Sequence, residues 1–175
     1  MGGLGGVLDT LLRFMDLGGN VLWLIAILLF FMWMLIFERV WYFQFGWKGD
    51  VADVISKWES RKERKSWEAH QIREMLISQT KMKINQSLPL IKTMVALCPL
   101  LGLLGTVTGM IEVFNVMAVT GGGDAKSMAG GVSRATVPTM AGMVAALSGV
   151  FANTYVTRVA QREGEFLEDN LTTDH

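Results

Sequence analysis

The stretch that most restricts the fold is residues 135–157, ATVPTMAGMVAALSGVFANTYVT, which hold no charge over 23 positions between Arg134 and Arg158. As a helix it is long enough to cross a hydrocarbon core of ~30 Å. A helix facing only lipid gains nothing from Thr136, Thr139, Ser148, Asn153, Thr154 and Thr157, or from the small-residue ladder Ala141, Ala145 and Gly149. In membrane helices such residues face other helices or a wet lumen. The stretch therefore predicts a helix that packs on protein or borders a water path.

Two further uncharged runs precede it. Residues 17–37 are apolar all round, as expected of a lipid-facing span, with Trp23 near one end and Trp41, Tyr42 and Trp47 as interfacial anchors at the other. Glu38 and Arg39 mark its exit, Glu38 reading as an end-of-helix charge snorkelling to water. Residues 93–111 lie between Lys92 and Glu112. Pro99 predicts a kink there, and Gly102, Gly105 and Gly109 around Thr106 open a face on which another backbone can approach closely. The composition agrees: 51% hydrophobic residues and a mean hydropathy of +0.35 coexist with sixteen basic and sixteen acidic side chains. Apolar blocks alternate with charged ones. The expected fold is an all-α membrane protein, with three transmembrane helices extended into the cytoplasm and an N-terminal amphipathic interfacial helix.

The expected organisation, from the N-terminus, begins with an interfacial helix at residues 1–18. There Leu4, Val7, Leu8, Leu11, Leu12 and Met15 stand opposite Asp9, Arg13 and Asp16; a mobile arm is the alternative. Gly18 and Gly19 end it, and Asn20 can cap the helix after the break. Residues 19–43 are the first span. Residues 44–88 are a cytoplasmic helical region with nine Lys or Arg against six acids, carrying a stripe of Ile72, Met75, Leu76 and Gln79. Residues 89–119 are the second span, 120–130 a periplasmic turn, 131–158 the third span and 159–175 a cytoplasmic helical tail with Val159, Phe166 and Leu167 as a partial stripe. With 44–88 inside, all Lys and Arg except Arg13, Lys126 and Arg134 fall on the cytoplasmic side, and both the N-terminus and the 120–130 turn lie outside.

Several functions are disfavoured. The formal net charge is zero, and RKERK at 61–65 is interleaved with Glu59, Glu63, Glu68 and Glu74, which reads as a solvated helix face rather than a nucleic-acid site. GGGDAKS at 121–127 has Ala125 where a phosphate loop needs Gly, and no strand precedes it. Cys98 is the single cysteine, and His70 and His175 are the two histidines, so neither a disulfide framework nor a metal site is expected. No nucleophile–base pair stands out, and no cofactor is expected. The opening MGGLGG lacks the basic residues of a signal peptide and the Ser or Thr of a myristoylation site.

Neither 93–111 nor 135–157 contains Asp, Glu, His, Lys or Arg. A proton path across a bilayer normally needs a titratable group near mid-depth. Thr106 and Thr139 can line a hydrated path and exchange hydrogen bonds, but they can equally bond their own helix carbonyls. Either the chain conducts nothing, or a partner brings the carboxylate. Glu112 and Arg134 are candidate charges at the outer mouth, or a solvated rim pair.

At these residues the chain resembles a known family. PLLGLLGTVTGMIEVF at 99–114 and GGVSRATVPTMAGMVAALSGVFANTY at 130–155 are similar to the signature of the ExbB/TolQ/MotA proton-channel family, most of all to ExbB-type proteins. The likeness covers about the last 85 residues well and the remainder in its layout. It implies an inner-membrane homo-oligomer, typically a pentamer, around the membrane helices of an ExbD-like partner that carries the missing Asp. It also implies a TonB-like protein that passes the work of proton flow to outer-membrane receptors for iron chelates or cobalamin. Thr106 and Thr139 match the motif threonines that face the pore. Arg134 stands where the family often has Glu, and the cytoplasmic region is short, as in the compact ExbB of secondary TonB systems. A TolQ-like subunit for envelope integrity and a non-conducting scaffold remain open beside the import reading. A MotA-like stator would need a fourth span.

Overall fold

A computed structural model describes residues 3–60, 66–122 and 125–171. The basic cluster 61–65, Gly123 and Asp124 of the expected turn, and His175 lie outside them. The described residues are helical: α1 (Gly3–Trp41), a π-helical turn (Tyr42–Gly46), α2 (Trp47–Glu59), α3 (Trp67–Asn85), α4 (Leu88–Thr120) and α5 (Ala125–Asn170). Three of the helical stretches are long and apolar enough to cross a membrane.

Gly19 interrupts α1 with φ 62° and ψ −158°, a backbone that only glycine adopts without strain. No side-chain cap from Asn20 accompanies the break among the described residues. Every described side chain from Gly5 to Phe14 is exposed, so no buried face marks the segment as amphipathic within this chain. The connection between α4 and α5 is shorter than the expected 120–130. Gly121 and Gly122, both at positive φ, turn the chain, and α5 is helical from Ala125. Gly131, at the expected start of the third span, is a packing position: a Cβ there would stand 2.6 Å from Val113 Cγ2. Both α4 and α5 continue through their internal prolines, Pro99 and Pro138, without ending. Any bend at Pro99 falls short of a break.

Contacts gather into two units. The first comprises Met1–Met32 and Thr93–Val150. Its buried residues repeat at alternating steps of three and four: Val95, Cys98, Gly102 and Gly105 on α4, and Ala135, Pro138, Gly142, Ala145 and Gly149 on α5. This is the narrow seam of a coiled coil, two positions in seven. The helices run antiparallel along it, with Gly109 against Ala135 and Gly142 against Cys98. Leu22, Ile25 and Met32 bring α1 to the same core, Met32 packing over Gly149.

The second unit comprises Trp33–Lys92 and Phe151–His175. Its core is made of large side chains, among them Trp47, Trp58, Ile84, Ile91, Leu167 and Leu171. The buried face of α3 is Ala69, Ile77, Thr80 and Ile84, rotated from the expected stripe; Met75 and Gln79 are exposed. Thr80 can be buried because its hydroxyl donates to the Leu76 carbonyl at 2.7 Å. On α5, Leu167 is buried as expected, but Phe166 is exposed and Val156 and Ala160 carry the face instead. Ser66 caps α3 by accepting from the Ala69 N–H at 3.2 Å. Glu38 reaches solvent, its side chain 50% exposed, and beside it stands a buried Arg39. The residue is 7% exposed; its guanidinium donates to Glu38 at 2.9 Å and to the Lys83 carbonyl at 3.0 Å, and lies over the Tyr42 ring.

Candidate functional site

Thr106 and Thr139 meet in the first unit. Glycines bring them together: a Cβ on Gly102 would lie 2.9 Å from the Pro138 carbonyl oxygen and 3.0 Å from Thr139 Cα, so any larger residue would hold the helices apart. At that separation Thr139 reaches across to α4 rather than back along its own helix, donating to the Gly102 carbonyl at 3.0 Å. The Thr106 hydroxyl is hydrogen-bonded to that of Thr139. Its alternative, the Gly102 carbonyl one turn back, is at 3.5 Å. The consistent arrangement is a short chain, Thr106 O–H to Thr139 Oγ1 and Thr139 O–H to the Gly102 carbonyl. Other threonines do bond locally: Thr108 to Leu104 and Gly105, Thr120 to Val116, Thr136 to Ser133. The 106–139 pair departs from that habit.

The remaining sequence-selected residues divide. Gly105 packs against buried Pro138, whose Cγ a Cβ at 105 would meet at 2.8 Å, and Gly109 packs against Ala135. Ala145 is 4% exposed and Gly149 is buried beneath Met32, whereas Ala141 is half-buried beside the seam rather than in it. Pro138 and Gly142 are seam residues that the ladder 141–145–149 passes over. The signal for them was the repeat of small residues and proline at 135, 138, 142 and 145, three and four apart.

Glu112 and Arg134 are exposed and form no ion pair with each other among the described residues. Both line a cavity of about 620 Å³ at the Gly121 end of α4 and α5, walled also by Asp16, Asn20 and Thr108. Asp16 was expected only on the polar side of the first helix; its position just before the Gly18–Gly19 break carries it to this cavity. Among the described residues no group of three His, Cys, Asp or Glu side chains is arranged to hold a metal ion.

Residues 49–169 match the MotA/TolQ/ExbB proton channel family. A Synechocystis sp. protein described as an ExbB-like biopolymer transport protein, ExbB-like 1, is 49% identical over 61 residues, 33% of this chain and 24% of that protein. A second from the same organism, ExbB-like 3, is 39% identical over 69 residues, 38% of this chain and 33% of that protein. The matched segments thus span a third or less of these relatives.

Proposed function

Because the chain is a multi-pass membrane protein that belongs to the MotA/TolQ/ExbB proton channel family, we propose that it is a channel and stator subunit converting proton motive force into mechanical work for TonB-dependent import. In this reading its copies, a pentamer as the resemblance implies, surround the membrane helices of an ExbD-like partner. A TonB-like protein carries the work to outer-membrane receptors for iron chelates or cobalamin. The chain sits in a Gram-negative inner membrane with its N-terminus and the α4–α5 turn periplasmic, and its 44–88 region and C-terminus cytoplasmic. The distribution of Lys and Arg supports that orientation.

The observation that carries the reading is a pair of hydroxyls without an acid. Thr106 and Thr139 are hydrogen-bonded across the α4–α5 seam, while the apolar runs 93–111 and 135–157 hold no titratable carboxylate, imidazole or amine. Hydroxyls can pass hydrogen bonds along, but they do not hold an excess proton near neutral pH. A conducting assembly therefore needs an acid from outside this chain, such as a membrane Asp on the partner. Glu112 and Arg134 would then stand at the outer mouth.

Co-expression with an ExbD-like partner, followed by native mass spectrometry and proton flux in proteoliposomes, tests the reading. The expected result is a ring of identical copies enclosing the partner. Thr139→Val should lower flux at least about tenfold with assembly intact, and Thr139→Ser should restore it. A complex whose flux is indifferent to Thr139→Val and Thr106→Val would make the chain a scaffold.

A further inference from the structure

The three charged residues of the cavity share a position in the sequence pattern. Asp16 is the last charge before the apolar run 17–37, Glu112 the first after 93–111, and Arg134 the last before 135–157. Each of the three apolar runs thus ends on one cavity charge, at the end where α4 turns into α5. Charges that terminate membrane spans lie at headgroup depth. None of the three forms an ion pair or side-chain hydrogen bond with the protein among the described residues. Their aliphatic surroundings, including Leu17 and Val116, leave the cavity open to a ligand that is charged at one end and apolar at the other. Its volume, about 620 Å³, falls within the range of small-molecule sites, ~300–1,000 Å³.

We propose that this cavity binds the headgroup of a phospholipid bearing a primary amine, with its phosphate on Arg134 and its ammonium on Asp16 and Glu112. Guanidinium matches phosphate geometry through paired N–H donors. An ammonium supplies three donors, enough for two carboxylates. A headgroup with a phosphate and no cation would satisfy Arg134 but leave two carboxylates facing an anion. A quaternary ammonium has no N–H to donate and is recognised instead by aromatic faces. The cavity lining contains no aromatic residue. The lining therefore selects ethanolamine over both choline and glycerol headgroups.

The test is native mass spectrometry of the full chain in detergent, titrated with phosphatidylethanolamine, phosphatidylcholine and phosphatidylglycerol of identical acyl chains. The ethanolamine lipid should be retained about tenfold better than either of the others. Arg134→Gln should lower retention of both phosphatidylethanolamine and phosphatidylcholine. Asp16→Asn with Glu112→Gln should abolish the preference for ethanolamine over choline, and Asp9→Asn, outside the cavity, should change nothing. Val116→Trp, at a position already 60% exposed, should block the cavity without disturbing the core and release all three lipids. Equal retention of the three headgroups by the unaltered chain, or a preference that survives both charge variants, overturns the proposal. Filling of the cavity by a second copy of the chain would appear as an oligomer that carries no lipid, and would overturn it as well.

Discussion

The two units of the molecule hold their helices together by opposite means. In the first, the seam between α4 and α5 is built mainly of small residues, Gly102, Gly105, Gly109, Ala135, Gly142, Ala145 and Gly149, with Val95, Cys98 and Pro138 completing it, and the backbones nearly touch. In the second, Trp47, Trp58, Ile84, Leu167 and Leu171 fill the core. The ion pairs found among the described residues, such as Lys81 with Glu168 and Lys83 with Asp50, all lie in the second unit. The contrast follows from solvent. Between helices in lipid, burying an isobutyl group gains little, because lipid tails are as apolar as leucine, so close backbone packing and hydrogen bonds must hold them. Against water, burial of large apolar side chains contributes most of the stabilisation. The two constructions suit a multi-pass membrane protein, whose helices meet both lipid and water.

The comparison breaks most visibly with truncations. Leu167→Ala removes a side chain with 0% exposure and should destabilise the second unit by about 2–5 kcal/mol. The same leucine-to-alanine change at Leu147, 59% exposed on α5, should have little effect in a lipid-like detergent. Denaturant titration of the purified protein checks both. In the first unit the sensitive change is the reverse, adding one methyl. Gly142→Ala would set a Cβ 2.5 Å from the Cys98 carbonyl oxygen, which is backbone and cannot turn aside. It should cost about 1–3 kcal/mol. Gly130→Ala, with nothing within 4 Å, should be neutral or slightly stabilising, since alanine favours the helix. If Gly142→Ala proves harmless, the backbone-contact account of the first unit is wrong.

A smaller effect is expected at the end of α5. The last carbonyls of a helix lack intrahelical partners, and Arg73 donates to that of Glu168 and to the Leu171 carbonyl just past the helix end. Arg73→Met keeps the aliphatic stem and removes the donors. It should cost about 1.5 kcal/mol, the lower end of the range for hydrogen bonds to charged groups, because Arg73 is only half-buried. Hydrogen exchange should show the loss as faster opening of the residues around 165–171.

What could be read from the sequence divides along the same line. The three apolar runs, the break at Gly18–Gly19 and the close-approach role of Gly102, Gly105 and Gly109 were legible, because length without charge and small-residue spacing are local signals. The stripe on α3 was not. Ile72, Met75 and Leu76 look like a buried face, yet burial falls on Ala69, Ile77, Thr80 and Ile84, and which face wins depends on partners distant in sequence. The helical start of α5 at Ala125 was missed because the glycine run at 121–123 and Gly130 read as a turn, although residues 125–130 already belong to the helix. For the candidate site, the two threonines could be selected but not their mutual bond. That bond depends on Pro138 and Gly142 lying against α4, a pairing set by register and not by composition.

One small stability effect separates packing from function most cleanly. Thr139→Val keeps the volume and branching of the side chain and removes one hydroxyl. The Gly102 carbonyl it served still accepts its own helix N–H, and Thr106 has that same carbonyl at 3.5 Å as a replacement acceptor. Hydrogen bonds between membrane helices are worth ~0.6 kcal/mol on average. The variant should therefore melt close to the unaltered chain, well short of the loss at Gly142→Ala, although the two positions face the same helix. If Thr139 were only a packing residue, its loss would register in melting and nowhere else. A normal melt with lost proton flux would instead mean that the hydroxyl, not the seam, is what the position contributes. A substantial drop in melting temperature would return Thr139 to the packing side, and Thr106→Val would then be the variant left to test the path.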